Sequence, residues 1–383
     1  MLALIEAPRR LLVVAHLNPK KLGSLEQQFI DLAGALLRHG VTTHFVFSDA
    51  PVAVVAEGLV AAGATWEQIR FDRPLVGAAQ LANIVRRYRP ALVHIHFLRV
   101  LSPLVTAAGL GGAPVVVNDH MLLRPGPDGP RRWAKHAVAR VCGAVVRRRV
   151  AVSKLVGRAV TQAEGVDPQI IRVIENGVDI TRFTGIDQGS ARLALGLPLG
   201  PARIIGCVSR MAPEKGVDAA IRAFARVAAR RPDTRLVIAG DGDETPACRA
   251  LARWLGVADR VRFLGLRDDV ERIIAACDLM WVPSRVEAFG LAAAEAMAGA
   301  RPVVATRAGA LDEVIDHSHT GYLVPVDVTD ELAAAALALL ADPERAARMG
   351  RAGRARAAMR FGMDRFIHRV LSLYTEILPG WLK

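Results

Sequence analysis

The chain has 383 residues, 52% of them apolar and 23% charged, with 50 Lys and Arg against 37 Asp and Glu and only four cysteines. That size and balance belong to a packed globular protein of two domains and exclude a disordered or fibrous one. Cys142, Cys207, Cys248 and Cys277 are widely spaced and form no CxxC pair, so neither a zinc centre nor a disulfide framework is indicated and a reducing compartment fits.

The opening MLALIEAPRRLLVVAHL carries its positive charges inside the apolar run, with no small-residue cleavage site after it, so it reads as a first strand and not a secretory leader. Short β-branched runs then alternate with Ala- and Arg-rich helical stretches, the rhythm of doubly wound α/β domains. The first series of strands is 11–15, 43–48, 92–96, 115–118, 150–153 and 171–174. A second covers 204–209, 236–239, 261–264, 279–282, 302–306 and 321–324. Between them, ENGVDITRFTGIDQGSARLALGLPLGPAR is rich in Gly, Asp and Pro and suits a linker. The uncharged stretch Val100–Asn118 is broken by Pro103, Pro114 and three glycines and does not read as a membrane span. At the end, FGMDRFIHRVLSLYTEILPGWL reads as an amphipathic helix, with Trp381 packing against the protein in preference to a membrane.

Residues 1–185 carry 23 Lys and Arg against 13 Asp and Glu, net +10 of the chain's +13. No helix-turn-helix, zinc or aromatic RNA-binding signature accompanies this bias, so nucleic acid is not an expected partner. The segment RRWAKHAVARVCGAVVRRR suits either contact with an anionic membrane surface or an ordinary solvated helix.

Several signals are set aside. There is no GxxxxGK[ST] loop, and LVIAGDGDE offers only Gly240 and Gly242 of a dinucleotide fingerprint. Asp241 and Asp243 suit turn and capping roles better than a metal site. His94 and His96 share one face of a strand and, with His120, read as core or cleft-lining residues, since no acidic or thiol ligand joins them.

The second series carries the chemistry. Arg210 and Lys215 lie in RMAPEKG after a strand, where open α/β sheets present ligand-binding groups, and two cations there suit a diphosphate. After LMWVP, Glu287 precedes Phe289, Gly290 and Leu291 and a helix that runs through Glu295. Free amides at such a helix start point toward an anion, and Glu287 and Glu295 are placed to face one ligand.

This region resembles glycosyltransferase family 4, of the GT-B fold: α/β, two Rossmann-like doubly wound domains facing a central cleft. The resemblance covers most of the chain, through SRMAPEKG, AGDGDE, FLGLRDDV, DLMWVPSRVEAFGLAAAEAMAGARPVVATRAGALDEVI and HTGYLVPVDVTDELAAAL, and more loosely through LGSLEQQFIDLAGALLRHG, ALVHIHF, AVSKLV and IENGVDITRF. It implies an acceptor domain of residues 1–182 joined by a C-terminal helix 361–383, and a donor domain of residues 183–360. Arg210 and Lys215 match positions that hold the donor diphosphate, and Glu287 one near the donor sugar. Ala288, Phe289, Gly290 and Leu291 match the stretch whose amides contact sugar and phosphate, and Glu295 the ribose-binding acid. Asp241 and Leu266 flank the base and sugar pocket. Gly23 and Ser24 match the first domain's glycine-rich loop, with Ser24 replacing a second glycine, and His120 matches a cleft histidine, although Asp119 precedes it where the family places an acid after it.

The resemblance implies transfer of a sugar from a UDP- or GDP-sugar with retention at the anomeric carbon, without cofactor or obligatory metal, to a glycan, lipid-linked or small-molecule acceptor in cell-envelope polysaccharide or glycolipid synthesis. It implies a cytoplasmic protein, with peripheral contact at the inner membrane face left open. A nucleotide-sugar epimerase and a non-catalytic sugar-nucleotide-binding protein are the alternatives.

Overall fold

A computed structural model describes residues 9–123 and 129–382, without the side chains of 130–135. The chain divides into two compact units, one of Met1–Gly177 with Asp364–Lys383 and one of Val178–Met363.

The first unit holds a seven-stranded sheet of β1 (Arg10–Ala15), β2 (Thr42–Phe47), β3 (Thr65–Gln68), β4 (Leu92–His96), β5 (Val115–Asp119), β6 (Val146–Ala151) and β7 (Ile171–Val173), in the order β3-β2-β1-β4-β5-β6-β7 with every pair parallel. Successive side chains of a strand point to opposite faces. Leu11, Val13 and Ala15 accordingly enter one core with Phe45 and Phe47, while Leu12 and Val14 enter another with Val46, Val93 and Ile95. Burial on both faces is what makes these strands continuous apolar runs. The last helix, Met363–Ile377, has its apolar stripe Val370, Leu373 and Tyr374 in the first of these cores, and Trp381 closes it at 7% exposure, as terminal packing requires.

The second unit repeats the plan with six parallel strands: β8 (Arg203–Val208), β9 (Thr234–Ala239), β10 (Val261–Gly265), β11 (Leu279–Val282), β12 (Val303–Thr306) and β13 (Gly321–Val324), ordered β10-β9-β8-β11-β12-β13. Both sheets therefore reverse direction beside their first strand, between β1 and β4 and between β8 and β11. Ligands of such sheets bind beyond the carboxyl ends of the strands at this switch point.

Two expectations are corrected and one strand is added. The stretch placed between the strand series as a linker contains the helix Gln188–Ala194, capped by Asp187 and tied to the sheet through Arg192 and Asp278 at 2.8 Å. Strand β3 went unread because TWEQ is short and half-exposed. The sixth strand starts at Val146, not Val150, so RRWAKHAVARVCGAVVRRR is a helix, Pro130–Cys142, followed by a strand that takes Arg147, Arg148 and Arg149. Period 2 wins in VRRRVA because Arg149 is buried between two carboxylates. Arg131, Arg132, Trp133 and Lys135 of that motif have side chains outside the described residues.

Candidate functional site

In the second unit, β8 and β11 each end in a loop at the switch point. The first, Ser209–Gly216, folds as a 3-10 turn at Pro213–Lys215. The second, Pro283–Gly290, leads into the helix Leu291–Ala298. Arg285 joins them: its amide and that of Val286 donate to the Glu214 carbonyl at 2.8 and 3.2 Å, and its guanidinium to the Pro213 carbonyl and to Asp218. That clamp positions Lys215, whose Nζ donates to Glu287 Oε2 at 2.7 Å, while Ser284 Oγ donates to the same oxygen at 3.1 Å. Both members of the pair are mostly buried.

Two glycines set the loop heights. A Cβ on Gly240 would lie 1.8 Å from the Ser209 carbonyl oxygen, and one on Gly309 would lie 1.8 Å from that of Glu287. Both have positive φ, so no other residue lets these backbones approach so closely.

The other residues singled out in the second unit are placed as follows. Arg210 is exposed and forms an ion pair with Glu214, so the two cations of RMAPEKG each face a carboxylate. Ala288 is half-buried, Phe289 is buried edge-on against Phe361, and Gly290 caps the helix with φ 108°. Leu291 is its first residue, with an amide that lacks an intrahelical acceptor. Glu295 lies one turn further, 9% exposed. Asp241 accepts from the Gly242 amide at 2.9 Å and the Thr245 hydroxyl at 2.8 Å, bonds that hold its carboxyl below the usual range. Leu266 is half-exposed and follows Gly265, whose carbonyl accepts from Gly240.

In the first unit, Gly23 caps the helix Ser24–Arg38 and donates to Glu26 Oε2 at 3.0 Å, while Ser24 is buried. A second cluster lies at the ends of β4 and β5. His120 Nε2 is 3.0 Å from both His96 Nδ1 and Asn118 Nδ2, and its ring stacks on Phe97 at 4.0 Å. Phe97 has φ 62°, a strained conformation for an aromatic residue. Burial, with His94 nearby, pushes the His120 imidazole down to about 3, so it is neutral at pH 7. Asp119 turns the other way, into a bidentate bond with Arg149 at 2.6 and 2.9 Å, and Glu164 accepts from the same guanidinium at 3.1 Å. Among the described residues no group of three or more acidic, His or Cys side chains is arranged to hold a metal ion.

Residues 202–342 match the family model described as Glycosyl transferases group 1, and residues 25–182 that described as Glycosyltransferase Family 4. A D-inositol 3-phosphate glycosyltransferase of Rhodococcus erythropolis is 30% identical over an alignment of 383 positions, covering 90% of this chain and 86% of that protein. The chain belongs to glycosyltransferase family 4. A second protein of that name, from Segniliparus rotundus, is 36% identical over 239 residues, which span 61% of this chain and about half, 53%, of the relative. The solved Anabaena protein HepE in complex with UDP superimposes with a TM-score of 0.79 at 23% identity over 96% of this chain and 100% of its own. A glycosyltransferase from Rickettsia africae gives 0.81 at 21% identity over 97% and 99%. The family 4 chain thus has the GT-B fold, with its two parallel sheets as the two Rossmann-like halves.

Sequence reading missed Arg285, Ser284, Phe97 and Asn118. Arg285 and Ser284 stand inside the motif already singled out but look like ordinary surface polar residues. Only the fold shows what they hold.

Proposed function

We propose that this chain is a retaining glycosyltransferase that moves a sugar from a UDP- or GDP-linked donor to an anionic acceptor. The single observation that carries the reading is the Lys215–Glu287 pair at the switch point of the second sheet, in front of the helix that starts at Leu291.

In this reading, Arg210, Lys215 and the amides from Phe289 to Leu291 hold the diphosphate and offset the charge that grows on the leaving oxygen. Glu287 positions the sugar, and Glu295 accepts from the ribose hydroxyls. The acceptor hydroxyl attacks the anomeric carbon on the face from which the phosphate departs. The bond to the acceptor oxygen forms as the bond to phosphate breaks, and the acceptor proton passes to the departing phosphate oxygen. No divalent ion is assigned a step.

Residues 183–360 are assigned the donor and residues 1–182 with 361–383 the acceptor, with Gly23, Ser24 and His120 near the reacting sugar. Three observations support an anionic acceptor and a uridine donor. The first half of the chain is net +10. The names of the relatives include D-inositol 3-phosphate and L-malate, both anions. The similar HepE was crystallised with UDP and with UDP-glucose. A role in building cell-envelope glycans or glycolipids from the cytoplasmic side, with contact to the membrane face, belongs to the same proposal; among the described residues no helix is long and apolar enough to cross a membrane.

The test is a thermal-shift screen with UDP, GDP, ADP and their sugars, followed by transfer assays with the stabilising donor and the NMR coupling constant of the product's anomeric proton. A uridine or guanosine diphosphate that raises the melting temperature, and a product of the donor's own anomeric configuration, are expected. Near-normal turnover of Lys215→Ala at saturating donor, or an inverted product, overturns the reading. Loss of activity with EDTA overturns its metal-independent part.

A further inference from the structure

The first unit contains three histidines in a row, two of them buried and His120 partly so, ending at a buried tyrosine of the last helix. Tyr374 Oη lies 2.6 Å from His94 Nδ1, the rings of His94 and His96 are 4.2 Å apart, and His96 Nδ1 lies 3.0 Å from His120 Nε2. His94 and His96 are 2% and 4% exposed and Tyr374 is fully buried. We propose that His120 is held as the neutral, Nδ1-protonated tautomer by Asn118 and His96, and that Tyr374 anchors this imidazole ladder through His94.

The bonding inventory carries the assignment. An amide nitrogen only donates, so Asn118 Nδ2, 3.0 Å from His120 Nε2, makes that ring nitrogen an acceptor. His96 Nδ1 faces the same nitrogen, and two bare nitrogens do not attract, so His96 also donates and its buried Nε2 is the bare one. That atom has no hydrogen-bond partner among the described residues. At the far end, Tyr374 Oη and His94 Nδ1 share one hydrogen bond, and His94 Nε2, like His96 Nε2, has no hydrogen-bond partner among the described residues. Phe97, stacked on His120, hinders the ring flip that would exchange its two nitrogens.

The proton of His120 therefore sits on Nδ1, the nitrogen turned away from the ladder. Given the reading that His120 faces the reacting sugar, it is a hydrogen-bond donor to a substrate oxygen and not the base that accepts the hydroxyl proton. Asn118, His96, His94 and Tyr374 are positioning residues for it.

The experiment is a long-range proton–nitrogen NMR correlation on the full chain labelled with 15N-histidine, with His120 assigned by its loss in His120→Ala. At neutral pH the expected pattern is a protonated Nδ1 and a bare Nε2. Asn118→Asp, nearly isosteric but acceptor-only, moves the proton to Nε2 and lowers kcat about tenfold, the worth of one hydrogen bond, with donor KM nearly unchanged. Tyr374→Phe keeps the packed ring, shifts the His94 and His120 resonances and lowers kcat roughly threefold at unchanged circular dichroism. A wild-type His120 protonated on Nε2 or on both nitrogens overturns the proposal, as does a pattern that neither variant alters. The spectrum needs no sugar transfer, so an enzyme inactive with every nucleotide sugar sinks the transferase reading while the tautomer is still decided.

Discussion

Lys215 and Glu287 are 72 positions apart in the chain, yet the ammonium of one donates to the carboxylate of the other at 2.7 Å. They meet because β8 and β11 are neighbours at the switch point and each sends its loop to the same end of the sheet. In the proposed mechanism the cation is shared: Glu287 holds it in place before a diphosphate arrives and competes with the diphosphate afterwards.

Replacing Glu287 by Gln keeps the bond from Ser284 and removes the competing charge. UDP is then expected to bind about two- to fivefold more tightly, a modest gain because the pair is partly solvated, while kcat falls at least about tenfold. Calorimetric titration with UDP and turnover at saturating donor check both halves. Weaker UDP binding would show that Glu287 holds the nucleotide and does not compete for Lys215.

Gly309→Ala tests the backbone approach behind the same residue. The new Cβ, 1.8 Å from the Glu287 carbonyl oxygen and at φ 58°, forces the loop to move. The strain is about 1–3 kcal/mol, and in a unit of this size each kcal/mol lowers Tm by roughly 2–4 °C. Transfer activity is expected to fall more than the stability loss explains. Wild-type Tm together with wild-type turnover would be incompatible with this contact.

Arg149, at 1% exposure, is expected to be among the costliest single positions in the first unit. Arg149→Met leaves Asp119 buried without its cation and Glu164 with only Arg99, at 3.7 Å, and the loss is about 3–5 kcal/mol. Burial already raises the Asp119 carboxyl, against the pull of Arg149. Adding Asp119→Asn and Glu164→Gln to Arg149→Met is expected to restore most of the stability. Urea denaturation of the single and triple variants decides it, and an equally unstable triple variant would reject the charge argument.

The histidine ladder makes the first unit acid-sensitive. Burial lowers His94 to about 3 and drives His96 well below 6.5, whereas in the unfolded chain both titrate near 6.5. A depressed folded value means the stabilisation is present above pH 6.5 and is lost as pH falls toward 3, because the unfolded state takes up protons that the folded state refuses. Each fully buried histidine contributes a slope of about 1.4 kcal/mol per pH unit in that window, and the less enclosed His120 contributes less. Urea midpoints at pH 7, 6 and 5 are expected to fall, with His94→Gln giving a shallower slope by nearly one proton. Equal slopes in the two proteins would contradict the assignment.

Much of the architecture is written locally. Runs such as LLVVA, LVIA and VVAT are apolar on both faces because parallel strands are covered on both sides, so eleven of the thirteen strands can be read close to their observed positions from period and composition alone. The misread segments fail for a physical reason: VRRRVA looks like a charged helix end until Asp119 and Glu164 supply partners for Arg149, and TWEQ is too short and too exposed to carry a pattern.

The sequence by itself determined the fold class and the family, and it singled out Arg210, Lys215, Glu287 and Glu295 as candidates, because each lies in a motif whose spacing is local. Only the tertiary structure decided that Lys215 is bonded to Glu287, that Arg210 is turned to Glu214, that Asp119 belongs to Arg149, and that His120 is tied to the last helix through His96, His94 and Tyr374. Apart from Arg210 and Glu214, which share one loop, these are pairings between segments separated by tens to hundreds of residues. The strand order chooses these distant pairings, and nothing in the spacing of either partner along the chain encodes the other.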